Sequence, residues 1–396
     1  MRIGVFSDSY KPYQSGVVTS ILTFKEELNR KGHEIYIFAP SYPNYIEEEE
    51  GVHRFMSVPS PTNPDFALAI PVLPGLSSLI KHLKLDLIHV QSPFTMGRVG
   101  LRYANKFQLP LVFTYHTLYD QYAHYVPVAQ DLAREMTVKY SIKFCNHCDH
   151  VVVPCAEIQE VLQSNLVNRP ISVIPTGVSL EKFARGDDKW LHNQYGIGLD
   201  KKILLFVGRL TREKNLEFLI ESFAAVHTHR PDTVLVLVAR GPLEQPLKTM
   251  TREMGLEDDV IFTGALPFET LVHAYYSADL FVFSSMTETQ GLVLLEAMAC
   301  GLPVVAVRAC GVQDMVESGV DGILTECRVE DFSQAICQVL AKPDVYNYYQ
   351  SNALRKANTL SAVNMAASME SLYMELCQRE QPRRTRTEAS SSWMAL

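Results

Sequence analysis

The residues with the clearest chemical potential lie in Thr287-Glu288-Thr289-Gln290-Gly291-Leu292-Val293-Leu294-Leu295-Glu296. Leu292–Cys300 reads as a helix stopped by Gly301, and a polar loop joins it to Leu280–Ser284, a run that reads as a buried strand. The first amides of such a helix have no intrahelical acceptor, and the macrodipole adds partial positive charge. Thr289, Gln290, Gly291 and Leu292 therefore line a place that suits a phosphate. Glu296 falls near the second turn, too far along to share that anion, and suits a neutral diol such as a ribose. Glu288, in the loop, can accept from hydroxyls at the other end of the same ligand. A molecule built as sugar, diphosphate and ribose fits this set. Two glutamates at this spacing taken alone are ordinarily a solvated loop acid and a surface helix acid, so the flanking residues must decide.

Those flanks begin at Lys202–Gly208, a second strand-like run that leads into Arg209-Leu210-Thr211-Arg212-Glu213-Lys214-Asn215 and then a helix from about Leu216. Arg209 at the strand end and Lys214 one loop later can converge on one diphosphate. A departing nucleoside diphosphate gains negative charge, and fixed cations stabilise it where other enzymes use a metal. No Asp-x-Asp, a common metal-holding pattern, occurs in the chain. The Glu-x7-Glu stretch, continued through Gly301-Leu302-Pro303-Val304-Val305-Ala306, resembles the donor-binding segment of retaining family-4 glycosyltransferases of the GT-B type. Gly208-Arg209 followed by Lys214 resembles the same family. Ala239-Arg240-Gly241-Pro242 departs from it, since the family usually has an acid where this chain has Arg240.

The supporting elements read as α/β. Strand-like runs recur at Arg2–Ser7, Glu34–Ala39, Gly51–Ser57, Asp86–Val90, Pro110–Thr114, Asp149–Val153 and Ile171–Ile174, with helix-compatible stretches such as Ser20–Lys31 and Arg98–Phe107 between them. Thr233–Ala239, Asp259–Thr263 and Pro303–Val307 extend the pattern in the second half. Apolar strands alternating with helices indicate parallel sheets covered on both faces. Gly311–Asp314 and Gly319–Gly322 read as structural turns, and Asp331–Leu340 and Met365–Gln378 as closing helices. The resemblance implies GT-B architecture: two Rossmann-like doubly wound domains facing across a cleft, with a C-terminal helix crossing back to the first. The expected domains are 1–183 for the acceptor, 184–362 for the donor, 363–380 for the returning helix, and 381–396 as a disordered tail.

Ligands of such sheets gather at the carboxyl ends of the strands. The first strand opens into Asp8–Ser20, where Gly16 permits close backbone approach and the following amides offer a second anion contact. A plain turn explains one glycine equally well, but the stretch resembles the family's glycine loop. His116 follows the strand ending at Thr114. The resemblance implies that it donates to the transferred sugar or orients the acceptor. The segment Tyr115–Pro127, with Tyr119, Tyr122, His124 and Tyr125 as candidate acceptor contacts, resembles bacterial enzymes that glucosylate diacylglycerol. Asn63–Gly75 is apolar with three prolines; it either packs over the core, which is the expectation, or forms an exposed lip for lipid.

Composition sets the outer bounds. The chain has 396 residues, 47% of them hydrophobic, which suits two domains of similar size. Its eight cysteines are irregularly spaced and indicate a reducing compartment, not a disulfide framework. Cys145-Asn146-His147-Cys148 has metal-like spacing, but no second ligand pair follows, so no metal is expected. A net charge of −8 argues against nucleic acid. Residues 76–148 nonetheless carry Lys81, Lys84, Arg98, Arg102, Lys106, Arg134, Lys139 and Lys143 against Asp86, Asp120, Asp131 and Glu135. That local excess attracts an anionic membrane surface, or forms ordinary solvated helix faces. No signal peptide or membrane-spanning run is recognised, so a cytoplasmic protein, at most peripheral at the inner membrane face, is expected.

The activity implied is retaining transfer of a hexose from a nucleotide sugar, UDP-glucose, to a lipid acceptor, diacylglycerol, with no metal or other cofactor. Catalytic roles fall to His116, Arg209, Lys214 and Glu288. Donor contacts fall to Arg209, Lys214 and Glu288 together with Gly16, Thr289, Gln290, Gly291, Leu292 and Glu296. Alternatives are another acceptor (phosphatidylinositol, a sugar or a small molecule), a UDP-sugar epimerase of related fold, and a silent donor-binding protein.

Overall fold

A computed structural model describes residues 1–60, 66–118 and 130–379. The chain divides into two compact units, Met1–Thr176 joined by Ala362–Leu396, and Gly177–Ser361.

Unit 1 contains strands β1 (Arg2–Phe6), β2 (Glu34–Pro40), β3 (Val52–Phe55), β4 (Ser57–Pro59), β5 (Ala67–Ala69), β6 (Leu87–Val90), β7 (Leu111–Thr114), β8 (His150–Val153) and β9 (Ile171–Val173). Its helices are α1 (Gly16–Arg30), α2 (Leu76–Leu83), α3 (Thr95–Phe107), α4 (Gln130–Cys145) and α5 (Ala156–Ser164). Seven strands form one parallel sheet in the order β3-β2-β1-β6-β7-β8-β9. Order reverses beside β1, the place where ligands of open parallel sheets collect. β6, β7 and β8 are buried along their whole length, as strands covered on both faces must be.

Unit 2 contains β10 (Lys202–Arg209), β11 (Thr233–Arg240), β12 (Val260–Phe262), β13 (Leu280–Phe283), β14 (Val304–Val307) and β15 (Gly322–Thr325). Its helices are α6 (Trp190–Tyr195), α7 (Leu216–His229), α8 (Glu244–Glu253), α9 (Phe268–Ser277), α10 (Leu292–Ala299), α11 (Val312–Met315), α12 (Val329–Ala341) and α13 (Pro343–Thr359). The six-stranded parallel sheet runs β12-β11-β10-β13-β14-β15, with its own reversal between β10 and β13. A last helix, α14 (Ala362–Gln378), belongs to unit 1 and packs on α1. There Glu370 accepts from Lys31 Nζ at 2.7 Å and pairs with His33 Nε2 at 2.7 Å.

Three expectations need correction. α1 begins at Gly16, not Ser20, because Ser15 caps it: the Ser15 side chain accepts from the Val18 amide at 3.3 Å. Gly311–Asp314 is not a plain turn, since Val312–Met315 coils into α11, whereas Gly319–Gly322 does form the expected turn, closed by the Gly319 amide donating to the Gly322 carbonyl at 2.8 Å as β15 begins. In Asn63–Gly75, residues 63–65 lie outside the described residues. The remainder is not packed throughout: β5 pairs antiparallel with β4 and buries only alternate residues. Pro71 and Pro74 follow β5 without entering it, which is how prolines coexist with a strand here. The expected tail, 381–396, also lies outside the described residues.

Candidate active site

In unit 2 the loops after β10 and β13 meet at the reversal point. Arg209 is the last residue of β10, and Lys214 ends the short helical turn Arg212–Lys214. Two serines directly after β13 fasten that turn. Ser284 Oγ donates to the Lys214 carbonyl at 2.7 Å and Ser285 Oγ to the Glu213 carbonyl at 3.2 Å, both from fully buried positions. Lys214 Nζ is thereby held against Glu288 in an ion pair, and it also stands 5.9 Å from the Phe283 ring. Arg209 extends outward, its guanidinium 3.2 Å from the buried Glu213 carboxylate.

Gly291 caps α10 with φ 77°, a left-handed conformation that a side chain disfavours. The amides of Leu292 and Val293 open the helix where no intrahelical acceptor exists. A neighbouring glycine keeps this loop in place: a Cβ on Gly311, itself at φ +72°, would overlap the Thr289 backbone carbonyl. Gly311 is thus a residue that sequence reading passed over as a simple turn. One turn into α10, Glu296 accepts from the hydroxyl of fully buried Tyr275 of α9 at 2.8 Å. Burial raises the Glu296 pKa above the usual carboxylate range, and the Tyr275 hydrogen bond offsets part of that rise.

In unit 1 the groups just past β6 and β7 are neutral, while Lys11–Glu49 and Arg54–Glu47 ion pairs lie near the ends of β1 to β3. His116, two residues past β7, donates from Nε2 to the Gln91 side-chain oxygen at 2.7 Å. An amide oxygen only accepts, so this bond places the ring proton on Nε2. Burial lowers the His116 pKa to about 4. Behind it, His89 bridges Tyr373 of α14 and Thr114, each at 2.6 Å. Its pKa falls to about 3, chiefly from burial and further from the nearby His116.

Asp8, directly after β1, accepts from the Ser92 hydroxyl and from the Met96 amide at 3.0 Å, and so ties β1 to the first turn of α3. Burial raises its pKa. The sequence signal for Asp8 was an acid next to the first strand's carboxyl end; Gln91 had a comparable position after β6. Gly16 is the first residue of α1. Tyr119, Tyr122, His124 and Tyr125 lie outside the described residues. The Cys145–Cys148 segment folds into the helix end and turn after α4, with both thiols buried, and Cys148 Sγ donates to the Phe144 carbonyl at 3.4 Å. Burial pushes the Cys145 thiol up to about 12. Among the described residues, no group of three or more His, Cys, Asp or Glu is arranged to hold a metal ion.

Two parallel sheets of this topology, the second with cations and helix amides at its reversal point, define a GT-B glycosyltransferase. The family model for group 1 glycosyl transferases matches residues 187–356, and that for Glycosyltransferase Family 4 matches 14–182. An alpha-monoglucosyldiacylglycerol synthase of Streptococcus pneumoniae is 34% identical over 95% of this chain and 86% of its own length. One from Acholeplasma laidlawii is 30% identical over 95% of this chain and 97% of its own. A sucrose-phosphate synthase structure from Thermosynechococcus elongatus superposes with a TM-score of 0.76 at 24% identity, covering 95% of this chain and 98% of that one. Anabaena Alr3699/HepE in complex with UDP gives 0.76 at 20%, covering 95% and 100%. The chain belongs to family 4 of the glycosyltransferases.

Proposed function

We propose that this enzyme transfers glucose from UDP-glucose to diacylglycerol with retention of anomeric configuration, giving a monoglucosyl lipid. The observation that carries the donor half is the Lys214–Glu288 pair beside the opening amides of α10. The acceptor half is supported by two relatives named alpha-monoglucosyldiacylglycerol synthase that align along 95% of the chain. The bound UDP of the Anabaena structure supports a uridine nucleotide on the same fold.

In this reading unit 2 takes the donor and unit 1 the acceptor. Arg209 and Lys214 neutralise the diphosphate, assisted by backbone amides from Thr289 to Leu292, while Glu296 accepts from the ribose hydroxyls. Glu288 accepts from sugar hydroxyls, and its partner Lys214 turns toward the phosphate. The bond between the anomeric carbon and the diphosphate oxygen breaks as the acceptor hydroxyl bonds to the same face. The hydroxyl proton passes to the leaving diphosphate, whose growing charge the two cations stabilise. Gly16 and His116 are assigned to the sugar and acceptor. A neutral His116 has its one ring proton engaged by Gln91 and so does not donate to the sugar; its assigned role is to orient the acceptor without competing charge. No protein nucleophile is required. The enzyme is peripheral to a bilayer; no described helix is long and apolar enough to cross one.

The test offers purified protein UDP-glucose or GDP-mannose together with detergent-solubilised diacylglycerol, phosphatidylinositol or inositol phosphate. Monoglucosyldiacylglycerol from UDP-glucose is the expected product. GDP-mannose is included because a GDP-mannose-dependent alpha-mannosyltransferase of Corynebacterium glutamicum is 31% identical over 85% of this chain. Transfer only from GDP-mannose, or only to a soluble acceptor, would replace the proposal.

A further inference from the structure

The loop between β1 and α1 carries Asp8 near one end and runs into Gly16 at the other. Asp8 ties its start to α3 and Ser15 caps α1, so both ends are fixed. Its middle is fastened by the segment between β2 and β3. Tyr10 Oη donates to both carboxylate oxygens of Glu49 at 3.2 Å, and Lys11 Nζ donates to Oε2 at 3.0 Å. From further along α1, buried Lys25 donates to Oε1 at 2.6 Å. Glu49 thus joins the loop before Gly16 to the helix that follows it.

This clamp is itself held. The Glu47 carboxylate accepts from the Glu49 amide at 2.9 Å and from Arg54 Nε at 2.9 Å. Arg54, in β3, also donates to the Lys11 carbonyl at 2.8 Å, and its guanidinium lies 5.4 Å from the centre of the fully buried Tyr10 ring. Amine and carbonyl of Lys11 therefore both answer to the segment after β2. A lone surface ion pair contributes little. Here two ammonium groups meet on one carboxylate, and among the described residues Lys25 pairs with Glu49 alone. Without that carboxylate the amines repel each other and Lys25 becomes a buried, unpaired charge. The residue so placed is Gly16, which the proposed function assigns to the sugar and acceptor, and transfer depends steeply on such placement.

We infer that Glu49 is a positioning residue for the transfer reaction, acting through Tyr10, Lys11 and Lys25 to set the Gly16 loop. The inference rests on the reading that this loop meets the sugar and acceptor, and one arm of its test uses neither. In Glu49→Gln the full-length protein keeps the side-chain volume and loses the shared charge. Without ligands, amides of residues 9–17 should exchange with deuterium about tenfold faster or more, and those of residues 289–293 at the wild-type rate. In the second arm, kcat/KM for the acceptor should fall about tenfold or more, with nucleotide affinity unchanged. Glu49→Asp, which keeps the charge, should recover part of both losses. Adding Lys25→Met to Glu49→Gln removes the stranded ammonium: the unfolding midpoint should return toward wild type while transfer stays slow.

Unchanged exchange over residues 9–17 in Glu49→Gln, or undiminished transfer by a variant whose loop exchanges faster, would each overturn the inference. So would a rate that returns together with the unfolding midpoint in the double variant, since Glu49 would then only stabilise unit 1. Transfer is followed with UDP-glucose and diacylglycerol, or with GDP-mannose, phosphatidylinositol or inositol phosphate where the wild type uses one of these instead. Failure of the acceptor reading therefore shows in the wild type, and failure of this inference only in the variants.

Discussion

The carboxyl edges of the two sheets differ in chemistry more than in architecture. Unit 2 presents ion pairs, Arg209–Glu213 and Lys214–Glu288, beside the opening amides of α10. Unit 1 keeps its ion pairs, Lys11–Glu49 and Arg54–Glu47, near the ends of β1 to β3 and presents neutral, buried hydrogen-bonded groups after β6 and β7, His116–Gln91 and Tyr373–His89–Thr114. Parallel topology supplies the location in both; side-chain type decides whether it suits a diphosphate or hydroxyl groups. The difference teaches that fold alone assigns no substrate here.

Removing charge from unit 2 should break the contrast most severely. Lys214→Ala is expected to lower kcat/KM by about 10²–10³-fold, measured by glucosyl transfer, with little change in circular dichroism. Arg209→Ala should lose somewhat less, since its guanidinium reaches outward from the β10 end toward Glu213 and is more exposed than the Lys214 ammonium.

Next comes the neutral edge. Because burial holds His116 near a pKa of about 4, activity should show no titration of this group above about pH 5. Gln91→Glu places a carboxylate against the ring, favours the imidazolium and should bring an ionisation into the pH–rate profile; an unchanged profile would refute the assignment. His116→Ala should cost about 10–10²-fold in kcat/KM.

Support residues should have smaller effects. Tyr275→Phe removes the hydroxyl on Glu296 and should destabilise unit 2 by about 1–3 kcal/mol, read by denaturant unfolding, while raising KM for the donor. The Glu296 carboxyl binds its proton more tightly folded than unfolded. Its contribution to stability is therefore fullest below the unfolded carboxylate pKa and is lost as pH rises through the higher folded value. Glu296→Gln should flatten that part of the pH–stability curve. Gly311→Ala, which combines positive φ with overlap of Thr289, should cost about 1–3 kcal/mol and raise the donor KM.

The parallel strands were legible because each is a short apolar run bounded by polar turns; β10, for example, was expected over Lys202–Gly208 and ends one residue later. The family could be read from Glu288, Glu296 and the glycines between and after them. Three-residue β4 and β5 were not legible, since nothing local distinguishes them from proline-bounded coil. Nor were the partners of site residues. Asp8 meets Ser92 and Lys214 meets Glu288 across long sequence separations, and only tertiary structure brings them together. Gly311 was read as a turn because its task, leaving space for the Thr289 backbone, belongs to a distant loop.

Titration calorimetry of UDP into the full-length protein addresses the central claim directly, because it isolates nucleotide binding from the acceptor. UDP affinity should fall about 30-fold or more in Lys214→Ala and stay close to wild type in His116→Ala. Undiminished UDP binding by Lys214→Ala, with loss in His116→Ala, would place the nucleotide at the neutral edge and contradict the account.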